Sequence, residues 1–426
     1  MDVRGVLEHQ TVLVRDQRIA AIGDVARVPV PPASARIDGR GRYLLPGLVD
    51  MHVHYNDPRY TTLFLANGVT TVRNMWGAPA HLRSRDAIAS GAALAPAIYT
   101  CGPITDGDPP VWEGSIVVRT AAEAEAAVAG QAAAGYDFIK VYDSLALDAY
   151  DGVMRAAQRH GIRVVGHVPL AVGLSHALAA GQASIEHLTG YLLALQSDDS
   201  PHRPTPVPAQ RYTIGRYAER ERIPEVVAST LAAGAWNCVT LVVLEKTSRL
   251  DGYSALREAP ELRYLPPALV DGWDPAKDFR FKDTTPAAFD DMRTGVDVRR
   301  ELTRALHEAG ARILLGTDTP NPFVVPGFSI HEELRLLVDA GLTPYEALRA
   351  GTAAAAEFLH GSDEFGSVRE GLRADLVLAE ANPLDDVANA ARRAGVMVRG
   401  RWLPEAELRS MLDDLAQAIH APAASA

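Results

Sequence analysis

Eight short apolar runs alternate with helical runs through the middle of this chain, and that alternation limits the folds open to it. The runs are LLPGLVDMHVH (44–54), VTTVRNM (69–75), AIYTCG (97–102), FIKVYD (138–143), IRVVGHVP (162–169), ASIEHL (183–188), WNCVTLVV (236–243) and ARILLGTDT (311–319). Helical spacing follows in TAAEAEAAVAGQAAAG (120–135), LDAYDGVMRAAQRHG (147–161), VGLSHALAAG (172–181), IPEVVASTLAAG (223–234) and DMRTGVDVRRELTRALHEAG (291–310), each closing on glycine. Strands alternating with helices imply parallel βα units. Eight such units predict an α/β fold, a TIM-type (β/α)8 barrel.

The ends of the chain read differently. Residues 1–45 alternate short apolar runs with turn residues, and a similar pattern returns over 365–405. Two β segments flanking a long α/β region predict a small β-sandwich built from both termini. The expected layout is therefore 1–45 plus 365–405 as the sandwich, 46–364 as the barrel, and 406–426 as a helix and tail. Two stretches break the βα rhythm, Tyr191 to about Ile223 and Glu245 to about Phe289. Both follow strands and are rich in proline and charge, so they are expected as long loops over the C-terminal face of the barrel. Arg211, Arg216, Arg249 and Arg263 lie in them and could meet an acidic substrate or the chain's own carboxylates.

Chemistry concentrates at the strand ends. His52 and His54 sit two residues apart in an apolar strand, so both imidazoles face the same side. Lys140, His167, His187 and Asp318 occupy or follow four further strands. Imidazole with carboxylate suits Zn²⁺ and similar borderline cations, with Mn²⁺, Co²⁺ and Fe²⁺ as alternatives. A single strand histidine is more often a structural residue. The i, i+2 pair and the recurrence at strand ends favour a metal site.

The segments PGLVDMHVH, FIKVYDS, VVGHVP, SIEHLTGY, LLGTDT and GSVREGLRADLVL resemble the amidohydrolase superfamily, and within it prolidase-like and imidazolonepropionase-like members. The resemblance covers nearly the whole chain and preserves the order of the ligands. It implies two divalent metal ions, one held by His52, His54 and Asp318 and the other by His167 and His187. Lys140, as a CO₂-derived carbamate, would bridge them. It further implies a metal-bridging hydroxide that attacks an amide-type C–N bond in an N-acyl amino acid, a dipeptide or a related small amide, with Asp318 carrying the proton. Tyr142 and Tyr191 are candidates to steady the oxyanion, and His331 a candidate substrate contact at the mouth. Hydrolysis of a cyclic amide, lactone or phosphotriester at the same site, and a non-catalytic scaffold, are the alternatives. For Lys140 the alternative is a buried lysine paired with Asp143. For Arg73 and Asn74 a substrate carboxylate and a neighbouring acid compete.

The remaining features narrow the setting. With 42 Lys and Arg against 53 Asp and Glu, the net charge of −11 offers no footprint for nucleic acid. Cys101 and Cys238 are too few and too distant for a disulfide framework and read as small buried residues. No apolar run reaches membrane-spanning length and the first residues lack a signal-peptide core. The expectation is a cytoplasmic enzyme for a small-molecule substrate, without nucleic-acid or membrane partners, and homo-oligomeric as relatives of this kind often are.

Overall fold

A computed structural model describes residues 5–24, 26–201 and 214–421. Residues 202–213 of the first expected insertion, Arg211 among them, and 422–426 of the expected tail lie outside the described residues. The strands in chain order are β1 Gln10–Arg15, β2 Arg18–Asp24, β3 Tyr43–Pro46, β4 Leu48–Val53, β5 Val69–Asn74, β6 Ala97–Thr100, β7 Thr105–Asp106, β8 Ile116–Val117, β9 Phe138–Val141, β10 Arg163–Gly166, β11 Ser184–Glu186, β12 Trp236–Cys238, β13 Arg312–Leu314, β14 Leu376–Ala379, β15 Arg393–Val398 and β16 Arg401–Pro404.

All eight expected central strands form, and every pairing among them is parallel. β4, β5 and β6 pair in order, as do β9, β10, β11, β12 and β13. A bridge from Cys101 to Phe138 joins β6 to β9, and a bridge from Val53 to Thr319 joins β4 to the segment after β13. The pairing therefore returns to its start. β4, β5 and β9 are buried along their whole length, as parallel strands covered on both faces must be.

Two helices show how the sequence sets their limits. Thr120 caps Ala121–Ala134 by accepting from the Glu123 amide at 3.2 Å, and Gly135 ends it at φ +87°. Gly161 ends Leu147–His160 in the same way at φ +65°.

Two expectations need correction. The run WNCVTLVV is not one strand: β12 ends at Cys238, Thr240 turns at φ +47°, and Leu241–Ser248 is helical. The buried carboxylate of Glu333 accepts from the amides of Leu241 and Val242 at 2.9 and 2.6 Å, satisfying donors that a helix start leaves unpaired. The stretch from Glu245 to Phe289 is not a long loop either. It winds into short helices at Leu250–Gly252, Tyr253–Leu256, Pro260–Tyr264 and Pro267–Gly272. Leu250, Leu262, Leu265, Val270 and Phe281 from this stretch join the main apolar core, and that burial holds it down.

At the chain ends, β3 joins β14, β15 and β16 in an antiparallel sheet, while β1 and β2 form a separate hairpin. Ile19 from the hairpin packs with Ala374, Leu376 and Met397 of the sheet side. The helix Glu405–His420 follows directly.

Gly166 tests how tightly β9 and β10 meet just below the candidate site. Its φ is +122°, and a Cβ there would lie 2.4 Å from the Val141 carbonyl oxygen. Gly166→Ala should lower the unfolding free energy by about 2 kcal/mol or more through backbone strain and this clash. Urea denaturation checks it, and an unchanged midpoint would contradict the packing described.

Candidate metal centre

The backbone links the first and last strands of the closed pairing. Met51 N donates to Leu315 O at 2.9 Å, Asp318 N to His52 O at 2.7 Å, and His54 N to Thr319 O at 2.6 Å. These bonds put the His52–His54 pair beside Asp318. Asp50 tightens the join by accepting from the Thr317 amide at 3.0 Å and its hydroxyl at 2.7 Å. One Asp318 carboxylate then faces three histidines. His54 Nε2 lies 2.9 Å and His52 Nε2 3.3 Å from Oδ1, and His187 Nε2 lies 3.7 Å from Oδ2. His52, His187 and Asp318 form a group whose ligand atoms lie within 4.8 Å of one another. His167 follows, its ring centroid 5.1 Å from that of His187.

Second partners aim these rings. His52 Nδ1 lies 2.8 Å from Glu186 Oε2, and His167 Nδ1 lies 2.7 Å from Asp143 Oδ1. A carboxylate can only accept, so each Nδ1 carries the proton and each Nε2 keeps its lone pair. His187 Nδ1 is 2.6 Å from the Thr240 hydroxyl. The Nε2 of His52 is buried without a hydrogen-bond partner among the described residues. Burial pushes the His52 pKa down to about 4 and those of His54 and His187 below the usual value, so all three are neutral at pH 7. Burial opposes ionisation of Asp318, but His187, His52 and His54 outweigh it and hold the carboxyl well below its usual range. Neutral imidazoles around an ionised carboxylate are the donor set a divalent cation needs. His187 and Asp318 also sit at φ +60° and +63°, conformations that cost about 1–3 kcal/mol each and that cluster at functional sites.

The other predicted residues divide. Lys140 is 1% exposed, lines the same cavity, and burial lowers its pKa. Asp143, its alternative partner, instead accepts from His167. Tyr142 lines the cavity, stacks on His167 at 4.0 Å and accepts from Trp112 Nε1 at 2.9 Å. Tyr191 does not reach the site. Its ring is fully buried, and its hydroxyl donates to Asn237 at 2.8 Å and meets Thr230 at 3.0 Å. His331 is also misplaced: it sits on the helix Ser329–Asp339, outside the cavity lining, with both ring nitrogens buried. Arg73 contacts no mouth, because it is fully buried and pairs with Glu186 at 2.9 Å. Asn74 is likewise buried, donating to Trp76 O and Thr100 Oγ1. Arg216 pairs with Asp291, Arg249 with Glu245, and Arg263 with Tyr264.

Sequence reasoning missed Glu186, although the string SIEHL places an acid inside an apolar strand. It also missed Thr240 and the cavity residues Asn56, Trp76, Trp112, Trp273 and Arg280. The cavity measures about 220 Å³.

The family model described as the amidohydrolase family matches residues 43–403. The chain belongs to the amidohydrolase family. Among curated relatives of this amidohydrolase, ochratoxinase of Aspergillus niger is 26% identical over 410 residues, covering 89% of this chain and 79% of the relative. A solved bottromycin amidohydrolase superposes with a TM-score of 0.76 at 31% identity, covering 96% of this chain and 86% of that one. A Xaa-Pro dipeptidase with bound methionine in its active site gives a TM-score of 0.67 at 20% identity, over 93% and 95% of the two chains. That last likeness bears on the fold alone. The matched span contains every residue of the candidate centre, and the chain is a hydrolase of this family.

The buried pair beneath the centre carries a stability prediction. Burial opposes ionisation of Glu186, yet Arg73 and His52 bring its pKa down from 4.5 to about 2. A depressed carboxyl pKa stabilises the fold above about pH 4.5, and that contribution fades as pH falls towards 2. Arg73→Met strands the Glu186 charge and should cost about 3–5 kcal/mol in urea unfolding at pH 7. A loss under about 1 kcal/mol would contradict the pairing.

Proposed function

We propose that this amidohydrolase is a metal-dependent enzyme that hydrolyses an amide-type C–N bond in a small substrate, such as an N-acyl amino acid or dipeptide. The observation that carries the reading is the convergence of His52, His54 and His187 on Asp318, with no hydrogen bond to the buried His52 Nε2 among the described residues. Its architecture is a (β/α)8 barrel over 46–364 with a β-sandwich from 1–45 and 365–405, supported by the closed parallel pairing and the two terminal sheets.

His52, His54, His167, His187 and Asp318 would hold two divalent ions, zinc before manganese, cobalt or iron on the donor set. Lys140 would join them. Burial favours its neutral amine, the form that adds CO₂ at Nζ and releases a proton to give an anionic carbamate. Divalent ions held there would lower the pKa of water and polarise a substrate carbonyl. The protein supplies the rest. Glu186 and Asp143 fix the tautomers and directions of His52 and His167. Asp318, ionised at working pH, accepts the proton of the attacking water at its carboxylate and returns it to the leaving nitrogen. Tyr142, its oxygen positioned by Trp112, donates its phenolic proton towards the oxygen of the tetrahedral intermediate. The likeness to a bottromycin amidohydrolase, at 31% identity, supports an amide-type substrate.

The test is hydrolysis of N-acyl amino acids and dipeptides before and after chelation. Activity should vanish with a strong chelator and return with Zn²⁺ and bicarbonate. Asp318→Asn should lower kcat by about 10²-fold or more while the fold survives by circular dichroism. Hydrolysis indifferent to chelator, or an Asp318→Asn variant within about twofold of wild type, would overturn the reading.

A further inference from the structure

Three of the five tryptophans of this chain line the cavity above the candidate centre, Trp76, Trp112 and Trp273. In a chain with only 6% aromatic residues, that is a concentration in one place. Trp76 and Trp112, with Phe279, form a continuous path of rings. Trp76 stands edge-on to His54 at 6.2 Å and tilted against Trp112 at 5.9 Å. Trp112 meets Phe279 edge-on at 5.3 Å, and Phe279 is 58% exposed. The path therefore runs from a candidate metal ligand out to solvent.

Trp112 is held rather than loosely placed. Its indole N–H donates to Tyr142, which stacks on His167. The Arg280 guanidinium lies 5.5 Å from its ring centroid, and Arg280 is itself fixed by Asp278 and Asn321. A half-buried tryptophan with its one polar atom satisfied presents only flat apolar surface to whatever enters. A large aromatic left exposed at the rim, as Phe279 is, loses water contact when a ligand covers it. Room is adequate, since an apolar cavity of roughly 150 Å³ takes up benzene, and this one measures about 220 Å³.

Charge narrows the class. Among the described lining residues Asp318 is the only aspartate or glutamate, and the guanidinium beside the Trp112 ring belongs to Arg280. An aromatic cation would meet no second acid here. We propose that the substrate carries a planar aromatic group, neutral or on an acidic molecule, seated against Trp76 and Trp112 beside the bond to be cleaved. This rests on the hydrolytic reading for the reaction only; the aromatic subsite is an independent binding statement.

Calorimetric titration of the full chain carrying Asp318→Asn, which suppresses turnover, separates the two. The ligands are N-benzoylalanine, N-acetylphenylalanine and N-acetylalanine, which place a ring on the acyl side, the amine side or neither. One aromatic ligand should bind at least about 10-fold tighter than N-acetylalanine. Trp112→Ala should bring that ratio to about threefold or less, and Phe279→Ala, at an exposed position that folding tolerates, should also reduce it. Equal binding of all three ligands, no binding of either aromatic ligand, or a ratio unchanged in both variants would overturn the subsite. Aromatic selectivity in a wild-type protein that hydrolyses nothing would leave the subsite standing and remove the hydrolytic reading instead.

Discussion

The seam between the first and last strands of the parallel pairing is the join on which the site depends. Three backbone hydrogen bonds, from Met51 to Leu315, Asp318 to His52 and His54 to Thr319, bring together residues more than 260 positions apart. At that seam, an acid and three imidazoles share one space. The seam is made of main-chain groups, so its geometry follows from strand pairing and leaves side chains free for chemistry.

The surroundings then keep each group in the right protonation state. Glu186 and Asp143 sit behind His52 and His167 and accept their Nδ1 protons, so that each Nε2 keeps its lone pair. Glu186 is kept ionised by Arg73, which is as deeply buried as Glu186 itself. Breaking such a chain of buried charges costs several kcal/mol, because each member lost strands the next. Strain at His187, Thr240 and Asp318, all at positive φ, is a further cost that the surrounding core over-determines.

Much of this was legible in the sequence. The eight strands followed from apolar runs of β-branched residues between helical runs, and His52 with His54 from the two-residue strand period. The limits have physical causes. Tyr191 and His331 read as mouth residues because they follow strands, but the start of a helix can turn a side chain inward, and Tyr191 found Asn237 and Thr230 there. The end of β12 was misjudged because Leu241, Val242 and Val243 have strand propensity. Glu333, some 90 residues later, caps them as a helix instead. Arg73 could not be distinguished from a substrate-binding arginine until its partner Glu186, from another strand, was in view. The aromatic wall escaped notice because Trp76, Trp112 and Trp273 are scattered along the chain and share no spacing.

Metal held for hydrolysis by the residues gathered at this seam is what the proposed function requires. Elemental analysis of the purified protein, prepared without chelator, tests it most directly. About two divalent ions per chain are expected, falling sharply in a folded His52→Ala variant together with hydrolytic activity. Hydrolysis by a wild-type protein that carries essentially no metal would contradict it.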